Sequence, residues 1–192
     1  MTQVANEIRA RAVPPPGIYE LDTVHTSVEF VARHMLSKVR GRFTDFRGTV
    51  EIAERPEASS AEVEIQAASI QSNSDQRDGH LKSGDFLQAD EYPTLSFMST
   101  AVRVEDDGRF ELDGDLTIRG MTRPVTLQGE YLGLSKNPYG KTVLAATATT
   151  SIEREDWDMT WNVAIETGGW LVSKKIDIEL EVEAIKVDDG EA

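Results

Sequence analysis

The stretch KKIDIELEVEAIK, Lys174 to Lys186, alternates Ile176, Ile178, Leu180, Val182 and Ala184 with Asp177, Glu179, Glu181 and Glu183. A period of two sends successive side chains to opposite faces of an extended chain, so the segment predicts a β-strand with one dry and one wet face. The pattern recurs in AEVEIQA (Val63, Ile65, Ala67 against Glu62, Glu64, Gln66) and in RFELDGDLTIRG (Phe110, Leu112, Leu116, Ile118 against Glu111, Asp113, Asp115, Thr117). Weaker versions fall at 26–33, 46–54, 94–105, 123–133 and 141–153, separated by turn chemistry at Asp107-Gly108, Gly120 and Asn137-Pro138-Tyr139-Gly140. About eight or nine strands with short turns predict a largely antiparallel sheet, which must stack as a sandwich or close as a barrel. The strand TVLAATATTS tilts this towards a barrel, because Ala145, Ala146, Thr147, Ala148 and Thr149 put small residues on both faces. The space opposite is either filled by larger neighbours or left for a ligand, and an eight-stranded barrel is the size at which both occur.

At 192 residues the chain fits one domain, expected over 17–187. Before it, residues 1–16 end in Pro14-Pro15-Pro16 and are expected to form a flexible, extended arm; residues 188–192 are a short acidic tail. One short helix is expected around RDGHLKSGDF (77–86), with Ser72 to Asp75 offering caps, Asp78 and Lys82 an i,i+4 pair, and Gly84 a stop. A second helical turn is expected within HMLSKVRG (34–41).

Composition removes several functions. A net charge of -14, from 34 acidic and 20 basic residues, repels phosphate backbones, so no nucleic-acid partner is expected. There is no cysteine for disulfide, thiolate ligation or nucleophilic attack. No apolar run has the length of a membrane span and the amino terminus lacks a secretory apolar stretch, which predicts a cytoplasmic protein with no integral membrane segment. The three histidines, His25, His34 and His80, show no metal-ligand spacing; the odd separation of His25 and His34 puts them on opposite faces of any continuous strand. No metal is expected, and no catalytic constellation is legible, G-x-S-x-G and S-x-x-K being absent.

Several longer blocks share a source. The ordered set Y-x-L-D-x-x-H-T-S-V-x-F-x-x-R-H (19–34), G-x-F-x-x-F-x-G (41–48), RDGHLKSGDF followed by YPTLSF (92–97), LTIRGMTRPV (116–125) and IERED (152–156) resembles the YceI-like family, from about Gly17 to Lys186. The resemblance implies an all-β, lipocalin-like antiparallel eight-stranded barrel with one or two short helices. It implies a non-catalytic protein that binds a long apolar or amphiphilic partner, an isoprenoid, polyprenyl or quinone-like lipid, in its interior, with no cofactor besides such a lipid. The expected lining is Phe30, Phe43, Phe46, Phe97, Leu116, Ile118, Trp157 and Trp161. Arg77, Asp78, Leu81 and Phe86 are expected to form a plug helix over one opening, with the charges of Arg77, Asp78, Lys82 and Asp85 paired and Leu81 and Phe86 pointing inward. Where the family commonly reads Asp-Phe-Gly this chain reads Asp156-Trp157-Asp158, a change expected to reshape one end of the channel. The alternatives are a small barrel enzyme of isomerase, cyclase or dehydratase type, using His34 or Asp78 as base, and a stress-linked scavenger of hydrophobic toxins. A homodimer is compatible with the sheet-rich chain.

Overall fold

Among the described residues eleven strands pair in one closed antiparallel sheet: β1 (Gly17–Leu21), β2 (Ser27–His34), β3 (Ser37–Phe43), β4 (Phe46–Ile52), β5 (Ser60–Gln66), β6 (Ile70–Gln71), β7 (Thr94–Val104), β8 (Arg109–Ile118), β9 (Met121–Lys136), β10 (Thr142–Glu153) and β11 (Val172–Lys186). The computed structural model describes residues 13–164, 166 and 170–187; residues 1–12 of the expected arm and the acidic tail 188–192 lie outside the described residues.

The pairing resolves the eleven strands into eight staves. β1 and β2 are one stave broken at Asp22 to Thr26, β3 and β4 one broken at Thr44-Asp45, and β5 and β6 one broken at the 3₁₀ turn Ala67–Ser69. Each stave then pairs with the next in sequence, and β11 closes the ring by pairing with both β1 (Leu21↔Ala184) and β2 (Val28↔Leu180). The result is a closed eight-stranded up-and-down barrel.

Local chemistry places the breaks. The Asp22 carboxylate accepts from the Val24 amide at 3.0 Å, and the Thr26 hydroxyl donates to the Glu183 carbonyl at 2.9 Å, which pins the interrupted stave back onto β11. The two other breaks lie side by side: the Gln66 amide donates to the Asp45 carbonyl, and the Thr44 amide to the Ser69 carbonyl. Turn residues behave as their conformations require. Arg119 and Gly120 form a two-residue hairpin with φ of 51° and 68°, and Gly108, at φ 91°, ends the turn between β7 and β8.

The helical turn expected in 34–41 is instead a hairpin, β2 to β3, turning at Met35-Leu36 with Met35 at φ 52°. Val39, Gly41 and Phe43 follow a period of two, which overrides the helix-compatible composition of that stretch. The α-helix found among the described residues, α1 (Asp75–Lys82), is capped by Ser74, within the stretch Ser72 to Asp75 expected to offer caps, and stops at Ser83, before Gly84. The Asp78–Lys82 pair is absent among the described residues, because the Asp78 carboxylate accepts from the Ser72 amide (2.8 Å) and hydroxyl (2.5 Å).

Strand parity sends one face of every stave inward. Tyr19, Val28, Ile65, Leu95, Phe97, Leu116, Ile118, Leu127, Ala148 and Ile152 are buried, while the outer face carries ion pairs such as Arg47–Glu64 and Arg103–Asp113 between neighbouring staves and Arg40–Glu179 across β2.

Candidate ligand cavity

The inward faces do not meet. A cavity of about 760 Å³ runs between the two ends of the barrel, bounded by Phe86, Arg154 and Trp161 beside α1 and by Phe110, Tyr131 and Pro56 beside the opposite hairpins. β10, at 12 residues, spans roughly 30 Å along the barrel axis once an ordinary strand tilt is allowed for. The cavity is accordingly elongated.

Two sequence devices keep it open. The first is the small-residue strand: Ala146 and Ala148 of β10 face inward, paired across to Val182 and Leu180 of β11. The second is a set of glycines at inward positions, each covered by a phenylalanine ring from an adjacent stave. A Cβ at Gly41 would lie 2.3 Å from the Phe30 ring, at Gly114 2.4 Å from the Phe97 ring, and at Gly129 2.2 Å from the Phe110 ring. The rings therefore lie against the wall, in space that any side chain at those glycines would take, and the axis stays clear.

Of the eight residues expected to line a ligand site, Phe30, Phe43, Phe97, Leu116, Ile118 and Trp161 border the cavity. Phe46 and Trp157 do not. Phe46, directly after the Thr44-Asp45 break, packs in the buried core cluster. Trp157 sits in the 3₁₀ turn Arg154–Trp157, where strand parity no longer applies, and its indole donates to the Leu116 carbonyl at 3.3 Å.

In the expected plug, Leu81 and Phe86 reach the cavity, whereas Asp78 does not. Arg77 is exposed and also reaches the cavity; its Nε donates to the Ser72 hydroxyl at 2.7 Å. The charges are thus joined through Ser72, which is buried, rather than through direct pairing of Arg77 with Asp78. Asp85 pairs with His80 at 2.8 Å, and the His80 ring lies edge-on to both Phe86 and Trp161, with centroids 5.1 and 4.5 Å away. This aromatic cluster closes the α1 end. At the other end Val13 and Pro14 border the cavity, so the triproline segment lies at that opening.

Asp158 stands at φ 58°, the left-handed cap of the 3₁₀ turn, and its carbonyl accepts from Arg119 at 2.7 Å. Glycine adopts that conformation without cost and aspartate tolerates it. The Asp156-Trp157-Asp158 departure thus caps a turn, and Trp157 and Asp158 do not touch the cavity.

Arg154, singled out in the sequence only as part of the IERED block and without a role, is only 1% exposed and borders the cavity. Its Nε donates to the Ser173 carbonyl at 3.0 Å and its Nη1 to the Met159 carbonyl, while Nη2 has no hydrogen-bond partner among the described residues. Burial pulls its pKa below the ordinary value. Arg154 opens the 3₁₀ turn directly after β10, two residues past the inward-facing Ile152. Elsewhere, Asp22, His25 and Glu183 come within 4.8 Å of one another at the stave break, a grouping not anticipated from the sequence. The His25–Asp22 contact at 2.9 Å raises the histidine pKa and lowers the aspartate pKa. No helix among the described residues is long and apolar enough to cross a membrane.

A closed eight-stranded up-and-down barrel around an elongated apolar cavity defines a lipocalin-like cavity protein. More specifically, the chain belongs to the YceI-like family, residues 19–184 matching the YceI-like domain. A UPF0312 protein of Staphylococcus aureus is 37% identical over 169 residues, covering 86% of this chain and 95% of that one. The Campylobacter jejuni YceI protein superimposes with a TM-score of 0.70 at 27% identity, over 81% of this chain and 90% of that one. A polyisoprenoid binding domain from Saccharophagus degradans, implicated in plant cell wall breakdown, has a TM-score of 0.65 at 13% identity over 90% of this chain and 100% of that one, a likeness of fold.

Proposed function

We propose that the barrel binds one long apolar or amphiphilic molecule, of isoprenoid, polyprenyl or quinone-tail type, without transforming it. The observation that carries this reading is the elongated cavity of about 760 Å³, kept clear by the three glycine–phenylalanine pairs. A solid barrel would fill inward positions with branched side chains instead. The polyisoprenoid binding of the Saccharophagus degradans domain supports the choice of ligand class. Burial of hydrocarbon drives binding at about 25 cal/mol per Å² before association costs. Of the two bases considered for an enzyme, His34 borders the cavity while Asp78 is held by Ser72 away from it, so the two do not converge on one ligand. Native mass spectrometry of gently purified protein is expected to show one bound lipid, and delipidated protein to bind one equivalent of a fluorescent polyene chain. Protein that arrives empty and takes up no apolar probe would refute the reading.

A further inference from the structure

In a chain of net charge -14, the ionisable side chains bordering the cavity among the described residues are mostly basic in type. Arg77, His80 and Arg154 stand at the α1 end and His34 on the adjoining wall, against one acid, Glu29. That acid is already occupied: its carboxylate accepts from the Ser27 hydroxyl at 2.9 Å and lies 3.6 Å from Arg40. Arg154 is the outlier among these groups. Its guanidinium is buried against Phe86, 5.9 Å from the ring centroid, and no carboxylate lies within ion-pair distance among the described residues. Its sequence neighbour Glu155 is paired with Lys174 at 2.8 Å. Two backbone carbonyls satisfy part of the guanidinium, and Nη2 is left without an acceptor among the described residues. A buried cation without a counter-ion is costly unless something supplies both charge and acceptor.

We propose that Arg154 receives an anionic oxygen group, carboxylate or phosphate, on the ligand, so that the acid end lies beneath α1 and the hydrocarbon runs towards the triproline end. The assignment rests on the proposed lipid-binding function and gives the ligand a polarity and a direction. A charge-assisted hydrogen bond in an apolar site is among the stronger polar interactions and adds geometric selection. Arg77, at the same end, adds positive potential, while the far end offers hydrocarbon contacts from Phe110 and Tyr131.

The test uses the delipidated full chain and two matched pairs of probes: cis-parinaric acid against its methyl ester, and geranylgeranyl phosphate against geranylgeraniol. At least one acid is expected to bind ten-fold or more tighter than its neutral partner, and the pair that discriminates identifies carboxylate or phosphate. Arg154→Met is expected to reduce that preference below about three-fold while leaving the neutral probe's affinity nearly unchanged, and Arg154→Lys to retain most of it. Should Arg154→Met fail to fold, the native protein and Arg154→Lys still carry the comparison. Equal affinity for acid and neutral partner in both pairs overturns the head-group assignment while leaving lipid binding intact, as does an equal loss for both partners in Arg154→Met. Failure of all four probes to bind overturns the lipid-binding reading itself.

Discussion

Gly129→Ala isolates the device that keeps the cavity open. A Cβ at this position would meet only the Phe110 ring, at 2.2, 2.4 and 2.8 Å, with no backbone atom among its nearest neighbours. Reaching ordinary contact at 3.4 Å requires the ring to shift by about 1.2 Å, the difference between 3.4 and 2.2. Phe110 borders the cavity, so the ring can retreat into empty space. Overpacking in a filled core costs about 1–3 kcal/mol, but here the ring's free side is open and the low end applies. Replacing a strand glycine also recovers about 0.5–1 kcal/mol of backbone entropy. The expected net change in unfolding free energy is therefore under about 1 kcal/mol, measured by urea denaturation. Binding of a long polyene probe should weaken several-fold, because the ring now stands in its path, and Phe110→Leu in the same background should restore it. A loss of about 3 kcal/mol or more would mean the ring has nowhere to go, and the inference of an open axis at this level would fail. Unchanged binding would equally refute it.

Other consequences follow from the same geometry. In a homologous series of ligands, each pair of added methylenes should strengthen binding by about 1.6 kcal/mol, roughly fifteen-fold, until the cavity is filled; calorimetry showing no dependence on chain length would place the tail outside the barrel. Asp78→Ala removes the acceptor for both the amide and the hydroxyl of Ser72 and is expected to cost about 1–3 kcal/mol, against about 1 kcal/mol for Arg77→Ala, whose side chain is exposed; denaturation midpoints in the reverse order would contradict the assigned anchor. The His25–Asp22 pair has a defined pH window. His25 is raised above its ordinary 6.5, so its contribution is present below that value and lost as pH rises through the folded-state pKa. Asp22 is lowered from its ordinary 3.8, so its contribution is present above that value and lost as pH falls. NMR titration should find His25 above 6.5 and Asp22→Asn should return it towards that value, since asparagine keeps the turn bond to Val24; an unshifted native His25 would remove the pair.

The barrel was legible wherever one face is wet. Glu179, Glu181 and Glu183 alternate with Leu180 and Val182 because β11 carries solvent on one side and the cavity on the other, and period two holds from Ile176 to Ala184. The hairpin at Met35-Leu36 was obscured because two turn residues inside a polar stretch carry no periodic signal of their own. The site was legible to the extent that it lies on strands: Phe30, Phe97, Leu116 and Ile118 obey parity. Trp157 fell outside it because a 3₁₀ turn rotates side chains off the strand schedule. The wall glycines escaped notice for a different reason. A glycine at an inward position reads as a gap in the pattern, and only the pairing register shows that Gly41 faces Phe30 and Gly129 faces Phe110.

A hollow barrel must hold its shape without a filled centre, and this chain distributes the task between the wall and the ends. Along the wall, ring closure through β11 pairs every stave on both sides, and the aromatic rings packed on wall glycines bury apolar surface between neighbouring staves instead of across the axis. At the α1 end, buried Ser72 ties Asp78 and Arg77 to the strand that precedes the helix, and His80 is clamped between Phe86 and Trp161. Arg154 lies in this same layer, held by the carbonyls of Met159 and Ser173. The guanidinium therefore has a fixed position before any ligand arrives, so an acceptor placed against Nη2 incurs little reorganisation. That preorganisation is why the loss expected on Arg154→Met should fall on the acidic probe selectively, and not on the hydrocarbon contacts made along the rest of the wall.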